Sequence, residues 1–250
     1  MIDNWQIGTV LHISAKKQQQ SVVRGVFHNP KFFAMIPDMI ITYYGAQFLK
    51  IQFGDLVLAI NPIGSDAKIK TSKFGADVGL ISLNASRFNG RDTITYGEKK
   101  PFIIAGPGEY EVKDIAIKGI AVKTLYNGEE KINTIYVATL EGMRLCFFGA
   151  LESSDLDRET LESIDVVDIL FVPVGMRGKG DDGVLHPKEA SKLTTALEPK
   201  IIIPLYSSGE ALKQFLKEEG SGNREAMEKL TLKKKDIEQK EGEIIVLKSL

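Results

Sequence analysis

Short apolar runs, each closed by a turn residue, dominate the chain from Met39 to about residue 150. MIITYYG, FLKIQFG and LVLAINP follow one another in this region, and GLISLN and DIAIKGIAVKTLY continue the pattern. Runs of this length with many β-branched residues predict strands. INTIYVATLEGMRLCFFGA predicts a hairpin that turns at Glu141 and Gly142. The first part of the chain is therefore expected to consist mainly of β-strands.

Sequence patterns typical of strands and of helices alternate after about residue 150. SSDLDRETLESI predicts a helix with Ser154 as its N-cap, and HPKEASKLTTALEPK predicts one with Pro187 at the first helical position. GEALKQFLKEEG predicts a third helix, ended by Gly220. VVDILFVPVG, KIIIPLY and GEIIVLKSL predict strands between and after these helices. Together the two halves predict a layered α+β architecture of two sheets with outer helices.

Residues 1–38 form a separate piece, closed by Pro37. TVLHI and SVVRGVF have strand-like composition and flank the polar stretch AKKQQQ. Two interpretations remain open: a strand or hairpin added to the edge of the main sheet, or a partner-binding arm. The predicted division is an extension over 1–38 and a domain over 39–250.

Composition excludes several classes of protein. The chain has 250 residues, 43% of them hydrophobic and 26% charged, which is typical of a folded soluble protein. Lys and Arg number 32 against 33 Asp and Glu, a balance that argues against a dedicated nucleic-acid binder. The single cysteine, Cys146, excludes a disulfide framework and a Cys-rich zinc module. No apolar run approaches the roughly 20 residues that span a bilayer, and the N-terminus lacks a signal-peptide pattern, so we expect a cytoplasmic protein without membrane contact.

The order of the segments over roughly 39–250 resembles the small, single-domain hydrolase-like branch of the metallo-β-lactamase superfamily. No single segment is diagnostic, and the resemblance depends on their order and spacing. It implies a four-layer αβ/βα sandwich, in which two mixed β-sheets pack between outer helices. The segments are ITYYGAQFLKI, LVLAINP, GADVGLISLN, GPGEYEVKDIAIKGIAV, TLEGMRLCFFGAL, VDILFVPVG, HPKEASKLTTALEPKIIIPLY and EGEIIVLKSL.

The same resemblance implies where a metal pair would be held, and the ligand residues are replaced there. The family's HxHxDH loop is expected after Ser82, where this chain has LNASRF. The bridging Asp falls on Ala150, the late His falls on Leu205, and the His expected after GIAVKTLY is absent, with Asn127 nearest. Two supporting positions are also changed, to Ala46 and Asn61. The ligand positions thus carry Leu83, Ala85, Arg87, Phe88, Ala150 and Leu205.

Few other residues could rebuild a metal site. His12 and His28 lie in the 1–38 extension, and His186 precedes a predicted helix, where it is expected to cap the helix or line the cleft. Asp181 and Asp182 lie in GKGDDG, which predicts a solvated turn. Cys146 alternates with apolar neighbours and is expected to be a small core residue.

Replacement of the whole ligand set predicts a remodelled cleft that packs shut or becomes apolar. We therefore expect a non-catalytic protein without metal or cofactor, a pseudoenzyme that acts as a binding, scaffold or assembly component. Its expected contact with a protein partner, or with a second copy of itself, is the 1–38 extension.

Two alternatives remain. A divergent metal-dependent hydrolase would use a displaced site built from His186 or from an acid such as Asp155 or Asp182. A binder of a small anionic ligand would use Arg87 and Arg177 at the old cleft, because guanidinium groups hold carboxylate and phosphate bidentately.

Overall fold

A computed structural model describes residues 37–176, 178 and 183–250, which belong to one compact unit. Most of the predicted extension, with His12 and His28, lies outside the described residues. So do Arg177, Asp181 and Asp182. The extension and its boundary therefore stay a prediction.

The first sheet has six strands in the order β12-β1-β2-β3-β4-β5. β1, β2 and β3 form an antiparallel meander, β12 lies antiparallel to β1, and β3, β4 and β5 run parallel. The three short apolar runs predicted as strands are β1 to β3. The bounds are β1 Met39–Tyr43, β2 Leu49–Phe53, β3 Leu56–Ile60, β4 Val78–Leu80, β5 Phe102–Ile104 and β12 Lys229–Leu232.

The second sheet has seven strands in the order β13-β11-β10-β9-β8-β7-β6. β6 to β9 are antiparallel, and β9, β10, β11 and β13 are parallel. The predicted hairpin joins β8 to β9, and both Glu141 and Gly142 have positive φ, as its two-residue turn requires. The bounds are β6 Gly108–Val112, β7 Ile115–Tyr126, β8 Glu129–Leu140, β9 Met143–Phe147, β10 Ile169–Val174, β11 Ile201–Tyr206 and β13 Glu243–Ile244.

Four helices accompany the sheets within the described residues: α1 Arg158–Ile164, α2 Pro187–Leu197, α3 Gly209–Glu218 and α4 Lys234–Ile237. The prediction of Ser154 as the first N-cap was wrong. The α1 N-cap is Asp157, whose carboxylate accepts a hydrogen bond from the Thr160 N–H at 2.7 Å. A carboxylate aligned with the first free amides fixes the helix start, so α1 begins one turn later than the sequence pattern indicates. No helix of the described residues is long and apolar enough to cross a membrane.

The core lies between the two sheets, where side chains such as Ile41 and Leu58 of the first sheet pack with Tyr136 and Phe171 of the second. The outer face of the second sheet packs against α1, α2 and α3. The outer face of the first sheet is covered by the connections before and after β4, residues 61–77 and 81–101, which include one short 3-10 turn, Ser65–Ala67. The predicted sandwich of two mixed sheets is confirmed, and these irregular connections form the outer layer on one side.

One charged residue ties the two sheets together. Asp77, just before β4, accepts hydrogen bonds from the Val57 N–H at 2.9 Å and from the ammonium groups of Lys99 and Lys113 at 2.8 Å each. Lys113 lies in the turn between β6 and β7, so this group, hereafter the Asp77 bridge, joins one sheet to the other. Burial alone raises the pKa of Asp77, but these hydrogen bonds outweigh it and lower the pKa to about 2.

Candidate functional site

The loop after β4 carries four of the positions where the family resemblance places metal ligands. It folds as tight turns, in which the Phe88 and Asn89 amides both donate to the Ala85 carbonyl, at 2.8 and 2.9 Å. The Ala85 amide in turn donates to the Leu83 carbonyl at 2.9 Å. These turns accompany the burial of Leu83 and Phe88, each only 3% exposed, while Ala85 is half-buried.

Leu83 and Phe88 pack with Tyr126 and Ala150, and Ala85 packs against the four. This group is hereafter the apolar cluster. The Phe88 and Tyr126 rings meet edge to face, with centroids 5.7 Å apart and planes at 79°. That geometry is favourable for aromatic pairs. Side chains at four of the predicted ligand positions are therefore brought together, and they form an apolar packing unit.

Tyr126 is the member of the apolar cluster that sequence reasoning missed. The sequence pointed to Asn127 as the residue nearest to the missing His after GIAVKTLY, but Asn127 has positive φ and belongs to the turn between β7 and β8. Tyr126 is the last residue of β7 and is buried. Alternation along β7 does not point to Tyr126, because the buried positions change phase from Ile115 and Ile117 in the first half to Thr124 and Tyr126 in the second.

The turn that carries Ala150 is held by a buried amide. The Asn133 side chain accepts from the Ala150 N–H and donates to the Phe148 carbonyl, both at 2.8 Å. Gly149 has positive φ, and a Cβ there would lie 2.4 Å from the Cβ of Ser82, so no larger residue fits. A Cβ on Gly183 would likewise lie 2.9 Å from the Cβ of Ala150. Ala150, where the family resemblance places the bridging Asp, is thus closely surrounded by packed atoms.

The two altered supporting positions now have structural roles. Asn61, with φ of 46°, accepts the Ser82 N–H through its side-chain oxygen at 2.9 Å. Ala46 accepts the Tyr43 hydroxyl through its carbonyl at 2.9 Å. The Ser82 hydroxyl, next to the Gly149 backbone, is buried without a hydrogen-bond partner in the described part of the chain. Asn61 therefore holds the start of the loop after β4, whereas Ala46 uses only its backbone carbonyl and binds the Tyr43 side chain.

The other predicted cleft residues that the structure describes are not members of the apolar cluster. Leu205 lies on β11 and packs in the core between the sheets. Arg87 is half-buried and acts electrostatically on Tyr43: burial and the neighbouring Tyr206 raise the pKa of Tyr43, and the Arg87 charge opposes them. His186 is confirmed as the N-cap residue of α2, and its side chain makes no capping hydrogen bond. Arg177, also predicted here, lies outside the described residues.

The residues at the ligand positions do not fit a divalent metal pair. Zinc and related ions need imidazole nitrogens, thiolates or carboxylate oxygens, whereas the apolar cluster offers hydrocarbon, aromatic rings and a phenol. Across the described residues, no three His, Cys, Asp or Glu side chains gather as a candidate metal site. Cys146 lies buried within β9, where burial strongly raises its thiol pKa. The cluster can pack and exclude water, but it offers no set of ligands for a metal.

Comparison with known proteins matches this fold to one superfamily. A family model described as a beta-lactamase superfamily domain matches residues 40–206. The solved structure of a candidate zinc-dependent hydrolase of the metallo-β-lactamase superfamily from Thermotoga maritima is 26% identical, with a TM-score of 0.65, over 84% of this chain and 98% of that one. No curated protein sequence matches the chain.

Two further solved structures share the fold at lower identity. A candidate metal-dependent hydrolase from Parabacteroides distasonis is 18% identical, with a TM-score of 0.57, over 74% of this chain and 91% of that one. A metallo hydrolase from Ignicoccus hospitalis is 14% identical, with a TM-score of 0.55, over 78% and 99%. The similarity therefore covers nearly the whole length of each of these proteins.

Proposed function

This chain belongs to the metallo-β-lactamase superfamily, and on that premise we propose that it is a non-catalytic member that acts as a binding, scaffold or assembly component. The observation that carries the proposal is the apolar cluster. Four of the positions at which the family resemblance places metal ligands hold Leu83, Ala85, Phe88 and Ala150, and these side chains pack together with Tyr126.

The chemistry of hydrolysis in this fold explains why that replacement matters. A bound zinc ion makes its water acidic enough to attack at neutral pH, and it must be held by several donor side chains at once. Loss of one ligand would leave the other polar groups buried and unpaired, each costing about 1–3 kcal/mol. Replacement of the set avoids that cost and allows dense packing. The cluster supports a change of role for the whole site.

A binding role also agrees with the distribution of functions on shared folds, since fold similarity to hydrolases does not carry the activity with it. The partner is expected to be a protein or a second copy of the chain, with the 1–38 extension as the expected contact. We also expect an intracellular location for such a component.

The proposal is tested by the metal content of the untagged full-length protein. The protein is purified without chelator, incubated with zinc, manganese or iron, desalted, and analysed by elemental mass spectrometry. We expect less than about 0.1 equivalent of retained metal, because the cluster supplies no ligand set. The thermal unfolding midpoint is expected to stay the same with and without a chelator.

One or two equivalents of tightly held metal would overturn the proposal. In that case, variants His186→Ala and Asp182→Ala would show whether a displaced site holds it. A matched control is Glu225→Ala, which removes an exposed acid from the loop before β12 and is expected to leave metal content unchanged.

A further inference from the structure

A cavity of about 390 Å³ opens along the same loop that carries the apolar cluster. Its volume lies within the ordinary range of small-molecule sites. One wall is the loop after β4, a second is the 105–107 connection between β5 and β6, and a third is β8, which contributes Ile132 and Thr134. The cavity lies between segments of both sheets, and the apolar cluster does not fill it.

Arg91 is the one charged residue among the described residues that line this cavity. Its Nε donates a hydrogen bond to the Asn89 side-chain oxygen at 3.0 Å. The Asn89 side-chain nitrogen in turn donates to the Asn84 side-chain oxygen at 2.7 Å. This chain of hydrogen bonds orients the guanidinium through Nε and leaves the two terminal nitrogens available. Those nitrogens can donate two hydrogen bonds to a carboxylate or phosphate.

Two acids around this loop accept hydrogen bonds from hydroxyl groups. Asp66 accepts from Ser86 at 2.7 Å and Asp92 accepts from Ser65 at 2.5 Å. Arg91 has no ion pair with any carboxylate of the described chain. An oriented guanidinium without an acidic partner, at the edge of a cavity, is suited to an anionic group from outside.

The opposite wall is apolar and exposed. Ile132 is 55% exposed, an unusual exposure for a large aliphatic residue within a long strand. Pro107 adds a second apolar surface, and Gly106 leaves open space, since a Cβ built there meets no atom within 4 Å. The cavity therefore offers an anion contact at one end and an apolar contact at the other.

We propose that this cavity binds a small molecule that places an oxyanion group, a carboxylate or a phosphate, on Arg91 and an apolar body against Ile132. The inference rests on the proposed binding role and names the ligand class for it. It moves the anion contact from Arg87 and Arg177, which the sequence indicated, to Arg91.

The test is calorimetric titration of the full-length protein at low salt with benzoate and phenyl phosphate, and with benzamide as the neutral control ligand. We expect saturable binding of at least one anion and none of benzamide. Binding of benzoate alone identifies a carboxylate ligand, binding of phenyl phosphate alone identifies a phosphate ligand, and comparable binding of both supports recognition of the shared oxyanion.

Substitutions locate the contact. Arg91→Gln is expected to weaken binding about tenfold or more, because it removes a charge-assisted bidentate contact. Arg91→Lys is expected to weaken binding less than Arg91→Gln, because lysine keeps the positive charge but cannot form two parallel hydrogen bonds to an oxyanion. Gly106→Leu is expected to block the cavity while the fold stays intact. The matched control is Arg224→Gln, because Arg224 is exposed and is also held through Nε, by Ser221 at 2.9 Å.

Two results would overturn the inference: no binding of either anion up to about 10 mM, the range of the weakest single-group contacts, or anion binding that survives Arg91→Gln. Metal content is measured on the same preparation. Metal retention without loss of anion binding would reject the non-catalytic function alone, and a metal-free protein that fails to bind either anion would reject the Arg91 site alone.

Discussion

The apolar cluster and the Asp77 bridge both connect the two sheets, the cluster through apolar packing and the bridge through hydrogen bonds between charged groups. Each links segments of the six-stranded sheet to segments of the seven-stranded sheet, the cluster through Phe88 and Tyr126 and the bridge through Asp77 and Lys113. The cluster holds hydrocarbon where the family resemblance places imidazole and carboxylate ligands of a metal. The bridge keeps a partly buried carboxylate and surrounds it with donors.

The difference shows what a buried position demands in this fold. A charge inside a protein is stable only when every partner is present, and Asp77 has three donors. At the cluster the partners would have been a metal and further ligand side chains, so the stable alternative without them is a fully apolar surface. The comparison predicts that charge is costly in the cluster and stabilising in the bridge.

Ala150→Asp gives the largest expected effect. It places a carboxylate where the family resemblance puts the bridging Asp, and it adds neither a metal nor a hydrogen-bond donor for that carboxylate. Ala150 has no exposed surface. We expect a loss of at least about 4 kcal/mol in the free energy of unfolding at pH 7, because an uncompensated buried charge costs several kcal/mol. Chemical denaturation measures it.

The pH dependence of this variant provides its control. Burial raises the folded-state pKa of the introduced carboxyl, so the loss is expected to be smallest below about pH 4 and to grow as pH rises. The matched substitution Ala226→Asp, at an exposed loop position, is expected to change stability by less than about 0.5 kcal/mol. A stable Ala150→Asp protein at neutral pH would contradict the packed description of the cluster.

Phe88→Ala is expected to have the next largest effect. It removes the ring that meets Tyr126 edge to face and leaves a cavity in a small cluster. Substitutions of this kind cost about 3–5 kcal/mol in protein cores, and we expect about 3 kcal/mol here. Phe102→Ala, at a phenylalanine that is 53% exposed on β5, is the control and is expected to cost less than about 1 kcal/mol. Equal losses at the two positions would show that Phe88 is not packed as described.

Asp77→Asn is expected to have the smallest of the three effects. The hydrogen bonds that lower the Asp77 pKa to about 2, against an ordinary value of 3.8, stabilise the folded state by about 2 kcal/mol at neutral pH. Because the folded-state pKa is depressed, this contribution is present above about pH 4 and is lost as pH falls through about 2. We expect the difference between wild type and variant, measured by urea denaturation, to shrink over that range.

Salt distinguishes the bridge from the cluster. The two lysines of the bridge are about half exposed, so 1 M salt is expected to reduce the effect of Asp77→Asn and to leave the effect of Phe88→Ala unchanged. The control variant is Asp155→Asn, at an exposed acid in the loop before α1, with no expected change at any pH. If Asp77→Asn lowered the free energy of unfolding by the same amount at every pH, the charge of Asp77 would not contribute to stability.

Several structural features could be predicted from local sequence because local physics decides them. The strands β1 to β3 follow from runs of apolar and β-branched residues, and the β8–β9 turn follows from Glu141 and Gly142, which both take positive φ. The start of α1 was misplaced because Ser154 and Asp157 are both good N-caps. The hydrogen bond from Thr160 selects Asp157, and sequence pattern alone does not reveal that choice.

The candidate site was predictable only in part. The order of segments indicated the loop after β4 and the turn at Ala150, but not that Tyr126 would complete the cluster or that Leu205 would pack in the central core. Burial of one strand residue against a loop far away in sequence depends on how the sheets pack. The proposed anion contact was not predictable for the same reason, because the sequence does not show which of Arg87, Arg91 and Arg177 lines a cavity.

The sequence by itself determined the alternation of strands and helices and the superfamily, and it predicted the replacement of the family's metal ligands. Those features depend on residue type and order along the chain. Only the tertiary structure decided that the replaced positions pack around an aromatic pair and that Arg91 stands oriented beside an open cavity. The reason is that packing density and hydrogen-bond satisfaction depend on distances between residues that are far apart in the chain.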